Sequence, residues 1–199
     1  GSGVSYQIAV ITTDSSSFVG PIIDSSNPDP TAAFDSQIDS IGTSGSAHEK
    51  GLQYAYESTT TGDAAPGAGF QRPDARLVVV YVSDEPDFSD NTSGWHGGGS
   101  STMTPTDYAN SLLSLKSSSE LVTAHAIAGD YPSGCTANGG AQFGEGYYEV
   151  VSDLGGTFMS ICASDWSSTM DTLARDSISM FGFPLSEKAI SDTIQVEVN

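Results

Sequence analysis

The sequence contains few basic residues, since six Lys and Arg stand against 25 Asp and Glu and give a formal net charge of −19. A field of that sign repels phosphate backbones and anionic lipid headgroups, so nucleic acid is not an expected partner. The same charge favours divalent cations, cationic ligands, or simple solubility in salty surroundings. A surface this poor in lysine is typical of exported bacterial proteins.

Long apolar runs are also missing. None approaches the ~20 residues that a membrane-spanning helix requires, and no signal peptide is recognisable. We therefore expect no membrane insertion. The 37% hydrophobic content, with 8 Tyr, 8 Phe and 2 Trp in 199 residues, is enough for one folded core.

Cysteine is scarce, with only Cys135 and Cys162. The two could form a disulfide, remain buried thiols, or contribute half of a metal site. The sequence has no Cys-x-x-Cys spacing and no nearby His pair, so it does not support zinc. We favour the disulfide, which would indicate an oxidising compartment and stabilise the fold by roughly 3 to 4 kcal/mol.

The apolar pattern predicts strands and helices in alternation, which indicates an α/β fold with a mostly parallel sheet and helices on both faces. A strand buried on both faces is expected at 4–13, and Ser46 with Glu49 has the spacing of a capping box at a helix start. The predicted strands lie at 4–13, 75–83, 121–128 and 157–163, with a short edge strand near 21–23 and an exposed one at 193–198. The predicted helices lie at 46–56, 104–116, 143–154 and 165–180, with a helical turn at 31–38.

Polar residues follow two of the predicted strands. Thr13 and Asp14 end the first, and Asp84, Glu85 and Asp87 follow the apolar run at 75–83. Ligands of open parallel sheets bind at the carboxyl ends of the strands. These residues are therefore candidates for a ligand-binding rim.

Several runs together resemble bacterial exported von Willebrand factor type A (VWA) domains, and the similarity spans nearly the whole chain. They are YQIAVITTD at 6–14, GTSGSAHEKGL at 42–52, LVVVYVSDE at 77–85, GC at 134–135, IC at 161–162 and DW at 165–166. The resemblance implies one domain over 1–199 with a three-layer α-β-α, Rossmann-like fold. The residues 184–199 would form an appended strand.

The resemblance also implies a metal-ion-dependent adhesion site at the carboxyl edge of the sheet. Ser46 falls on the family's second-loop hydroxyl and Asp84 on its third-loop carboxylate. Thr13, Asp14, Glu49, Glu85 and Asp87 are possible partners around that site. Oxygen ligands suit Mg²⁺, Ca²⁺ or Mn²⁺, and the open coordination position would accept a carboxylate from a protein or surface ligand.

One part of the family pattern is missing. No residue before Val4 matches the family's first strand, its Asp-x-Ser-x-Ser loop or its first helix, so the metal site is conditional on that loop. The stretch Asp165-Trp-Ser167-Ser-Thr169 has a similar residue pattern, but we interpret Asp165 as the N-cap of a helix. Since the missing strand is central in the family's strand order, we expect a companion segment to supply the first strand and helix.

The sequence thus predicts a secreted, cell-surface or periplasmic adhesion module with a divalent cation. The alternative is a scaffold or split domain that a separate strand-helix segment completes, without metal-dependent binding. A hydrolase is not expected, because the chain has neither a Gly-x-Ser-x-Gly elbow nor a His-Glu-x-x-His motif.

Overall fold

The centre of the fold is a parallel sheet of three strands in the order β3-β4-β5. The computed structural model describes residues 4–46, 48–89 and 101–178. The sheet strands are β3 (Leu77–Val82), β4 (Val122–Ala128) and β5 (Phe158–Ser160). Leu77 pairs with Val122 at the start of β3, and Ala126 pairs with Phe158 on the other side of β4. The predicted α/β class with a parallel sheet is confirmed.

A second, smaller sheet lies near the amino terminus. It consists of β1 (Gln7–Ile8) and β2 (Ile23–Asp24), which pair antiparallel. The strand predicted at 4–13 is therefore wrong in length and burial, because only two of its residues lie in a strand, Thr12 forms an isolated bridge with Ser15, and Ile8 is 38% exposed. A run of β-branched residues needs paired neighbours along its length to form a strand buried on both faces. In this run the ladder covers Gln7 and Ile8, and Ile11 packs against the main core.

Three helices cover one face of the main sheet. These are α2 (Gly51–Thr60), α3 (Pro105–Leu113) and α4 (Tyr147–Leu154), and α4 packs directly on β4. The core between helices and sheet contains Leu52, Tyr81, Leu112, Ala124, Ala126 and Val150, among others. Gly51 starts α2 beside the Tyr147 ring, where a Cβ would lie 2.7 Å from the tyrosine oxygen. The small residue thus lets α2 approach α4 closely.

Two further helices are described, and the first of them contacts β2. They are α1 (Pro30–Ile41) and α5 (Ser167–Ile178), and two short 3₁₀ segments precede β4 and α4 at Ser119–Leu121 and Ala137–Gly139. On the second face of the sheet, Val80 and Val82 are 40% and 52% exposed. Among the described residues, helical cover is therefore clear for one face only. The strand predicted at 193–198 and the appended segment 184–199 lie outside the described residues.

The start of α3 and the end of α4 agree with the sequence prediction. Thr104 and Asp107 form the capping box of α3, and Gly155 ends α4 in the left-handed conformation at φ 70°. The predicted capping box at Ser46 is wrong, because α2 begins five residues later and its N-cap, Lys50, has no side-chain cap. Asp165 accepts the N–H of Ser167 at 2.8 Å, as expected for a residue before a helix.

Candidate functional site

The candidate site is a polar rim at the carboxyl end of β3, and three chain segments meet there. Lys50 donates its backbone N–H to the Thr13 oxygen at 3.0 Å, which joins 46–50 to the end of the amino-terminal run. The Glu49 carboxylate accepts a hydrogen bond from the Ser83 hydroxyl at the end of β3. We call the residues 13–14, 45–46, 48–49 and 83–87 the acidic rim.

Asp14 and Ser46 are brought together in this rim. The backbone N–H of Ser46 donates to Asp14 Oδ2 at 3.0 Å, and both residues are exposed. A Cβ on Gly45 would lie 3.3 Å from the same oxygen, so the chain passes close to the carboxylate. The Ser46 hydroxyl accepts the N–H of His48 at 3.0 Å, which closes a local turn.

Glu49 is influenced by the charges of three other carboxylates of the rim. Burial raises the pKa of this carboxyl group, and its hydrogen bond with Ser83 acts in the opposite direction. The charges of Asp84, Glu85 and Asp14 raise the same pKa further. The four carboxylates therefore share one electrostatic environment. A cation placed among them would relieve their mutual repulsion.

Ser83 and Asp84 form the turn that leaves β3. The Ser83 hydroxyl accepts the N–H of Glu85 at 3.1 Å and donates to Glu49. Asp84 is exposed, and its backbone oxygen accepts the N–H of Gln142 at 2.9 Å. Ser83 is buried and was missed from the sequence. The signal that could have identified it is its position immediately before Asp84 at a strand end.

Asp87 joins the rim to the neighbouring chain segments by hydrogen bonds. Its carboxylate accepts the N–H of Leu52 and the N–H of Ser89, each at 2.9 Å, and its own N–H donates to the Glu145 oxygen at 2.9 Å. The side chain is buried, which raises the pKa of the carboxyl group despite both hydrogen bonds. Asp87 therefore anchors the start of α2 and the rim turn rather than facing a ligand.

A long loop borders the rim on the β5 side. Cys135 and Cys162 form a disulfide with their Cα atoms 6.2 Å apart, and Asn138 Nδ2 donates to the Cys162 oxygen at 2.9 Å. The sequence left three states open for these cysteines, and the structure joins them. The loop that this disulfide closes also supplies Gln142, which holds the Asp84 backbone.

The oxygen donors of the rim suit a hard cation, but they do not make a complete site. In the three described stretches of the chain, no group of three or more His, Cys, Asp or Glu side chains is arranged to hold a metal ion. In the same stretches, no helix is both long enough and apolar enough to cross a membrane.

Comparison with family models, with curated proteins and with solved structures finds no match for this chain.

Proposed function

We propose that this chain forms a VWA-type binding module that captures a partner through a divalent cation at the acidic rim. The observation that supports this most directly is that the charges of Asp84, Glu85 and Asp14 all act on the Glu49 carboxyl group, which is hydrogen-bonded to Ser83 at the end of β3. Asp84 would bind the cation, and the Ser46 hydroxyl would bind it directly or through water. Glu49 and Ser83 would orient these groups.

The donor set determines which cation fits. Carboxylate and hydroxyl oxygens bind Mg²⁺, Ca²⁺ or Mn²⁺ in preference to softer metals. Because the described residues supply too few strong ligands, the remaining positions would go to water, to an additional loop, and to a carboxylate of the partner. The cation would then bridge two negatively charged surfaces that otherwise repel each other.

The proposed compartment is outside the cytoplasm. The Cys135–Cys162 disulfide is of the kind that persists in secreted, cell-surface or periplasmic proteins. We also propose that the module binds rather than catalyses, with no nucleic acid partner, in line with the charge of −19.

Thermal unfolding with and without Ca²⁺, Mg²⁺ or Mn²⁺ tests the cation at the rim. We expect each active cation to raise the melting temperature, since a ligand that binds only the folded state stabilises it. Asp84→Ala should abolish the rise. Sodium chloride at matched ionic strength measures the general screening of a chain with charge −19.

Asp39→Ala is the matched control, because Asp39 is an exposed carboxylate on α1 and is not one of the rim residues. It should keep the full cation response. If the response survives Asp84→Ala, or if Asp39→Ala removes it equally, the cation does not bind at the rim.

A second candidate function is a split domain that an added strand completes, and the outer edge of β3 favours it. β3 is a six-residue apolar strand, and among the described residues it pairs with β4 alone. Ser83 donates its N–H to Ile127 of β4 at 3.1 Å, so by alternation the N–H groups of Val80 and Val82 point away from β4. An exposed apolar edge of this kind is a template for another strand.

Amide hydrogen exchange tests this second candidate. In the chain alone, we expect Val80 and Val82 to exchange much faster than Val79 and Tyr81. A designed peptide of alternating β-branched residues should slow the exchange of Val80 and Val82 selectively, whereas the same peptide with a central proline should not. Slow exchange of Val80 and Val82 in the chain alone would show that the edge is already covered.

A further inference from the structure

Four aromatic rings form a continuous cluster on the surface beside the Asp84 turn. The aromatic cluster consists of Tyr131, Phe143, Tyr148 and Phe158. The Tyr131 ring stacks on Tyr148 at 4.6 Å and 21°, and it forms a T-shaped contact with Phe143 at 5.4 Å. Tyr131 is nevertheless 61% exposed, the largest exposure among the large apolar side chains described. One face of its ring is therefore packed and the opposite face is open.

The loop that carries Tyr131 is held at several points. The Cys135–Cys162 disulfide ties it to the end of β5, and Cys135 exchanges backbone hydrogen bonds with Ala141. Gly134 donates its N–H to the Asp130 oxygen at 2.7 Å, and the Tyr148 ring supports Tyr131 from α4. A tyrosine already held in place loses little conformational entropy when it binds a partner.

The sequence segment that carries the aromatic cluster contains acidic residues and neither Lys nor Arg. Between residues 117 and 174 the sequence has no Lys or Arg, and it has seven Asp and Glu, including Asp130 directly before Tyr131. The open face of an aromatic ring is itself the negative pole of its quadrupole. Both features attract a cation, and no basic side chain of this stretch competes for the position.

We propose that the open face of Tyr131 binds an arginine side chain of a partner protein. A guanidinium group is planar, stacks on aromatic rings and is weakly hydrated, so it fits a flat exposed ring better than an ammonium group does. Gln142, on the same loop, holds the Asp84 backbone at 2.9 Å. One partner could therefore contact the aromatic cluster and the acidic rim together. The arginine contact requires no metal.

The experiment titrates the full chain, in EDTA, with Nα-acetylarginine methylamide and follows the Tyr131 ring resonances by NMR. The neutral isostere Nα-acetylcitrulline methylamide is the matched probe, and methyl glucoside tests a carbohydrate instead. We expect saturable shifts of the Tyr131 ring with the arginine probe and about two- to fivefold weaker binding of citrulline. Because EDTA removes divalent cations, this result is separate from the fate of the metal proposal.

Substitutions of Tyr131 test whether the arginine probe binds at this ring. Tyr131→Phe should retain arginine binding, whereas Tyr131→Leu should lose the preference for arginine over citrulline while keeping apolar bulk on Tyr148. Phe34→Ala, which removes another partly exposed aromatic ring from α1, should bind like the wild type. Equal binding of citrulline, stronger binding of the glucoside, or an unchanged preference in Tyr131→Leu would each overturn the proposal.

Discussion

At the scale of single residues, the rim combines carboxylates that face solvent with one that does not. Asp14 and Asp84 are exposed, whereas Asp87 is buried and hydrogen-bonded to the backbone of Leu52 and Ser89. Sequence alone could not separate these roles. All three aspartates follow strand-like segments, and the difference comes from the packing of α2 and of the chain before α4 around Asp87. Burial of this kind depends on contacts distant in sequence.

The buried carboxyl group of Asp87 predicts a specific pH dependence. Since burial raises its pKa in the folded state above the ordinary value of 3.8, the folded state holds the proton more tightly than the unfolded state. Its contribution to stability is therefore fully present below about pH 3.8 and is lost as pH rises through the folded pKa. The free energy of unfolding of the wild type should fall relative to that of Asp87→Asn over this window.

Urea unfolding at several pH values between about 3.5 and 7.5 measures the Asp87 effect. Asp39→Asn, in an exposed position on α1, controls for the lost charge. A difference between wild type and Asp87→Asn that grows in favour of the wild type as pH rises would contradict the prediction.

At the scale of helices and strands, the capping box of α3 allows a direct test of how much a local helix cap stabilises the fold. Thr104 accepts the N–H of Asp107 at 3.2 Å, and Asp107 accepts the N–H of Thr104 at 2.8 Å. Thr104→Ala should lower the free energy of unfolding by about 1 kcal/mol, whereas Thr104→Ser should cost only a few tenths. Equal losses in the two variants, measured by urea unfolding, would show that the threonine methyl group matters more than the cap.

The secondary-structure elements with local signals could be predicted from the sequence, and those that depend on distant contacts could not. β4, β5, α3 and α4 were predicted because their apolar spacing and end signals, such as Gly155, are local. The start of α2 was predicted wrongly, since Glu49 bonds to Ser83, 34 residues away, rather than capping a helix with Ser46. The long strand at 4–13 failed for a related reason, because strand length depends on a pairing partner that the run itself does not specify.

At the scale of the whole molecule, the disulfide closes a loop that spans α4 and three of the four rings of the aromatic cluster. Cys135 and Cys162 are 27 residues apart in sequence. On the chain-entropy model, removing the bond should lower the free energy of unfolding by about 3 to 4 kcal/mol. The double variant Cys135→Ala with Cys162→Ala should show this loss without reductant.

Wild-type protein in reductant should approach the stability of the double variant, and reductant should not change the double variant. Cation and arginine titrations of the same samples would report whether the loop holds the Asp84 turn and the aromatic cluster in place. A double variant as stable as the wild type would show that the hydrogen bonds of the loop suffice.

The position of this disulfide also determines how it can be detected chemically. Both cysteines lie in the stretch without Lys or Arg between Lys116 and Arg175, so trypsin would release them within a single peptide. Oxidised and reduced forms of that peptide differ in mass by only one hydrogen molecule. A glutamate-specific protease would instead cut at Glu145 or Glu149, between the two cysteines, and leave two fragments that separate only after reduction.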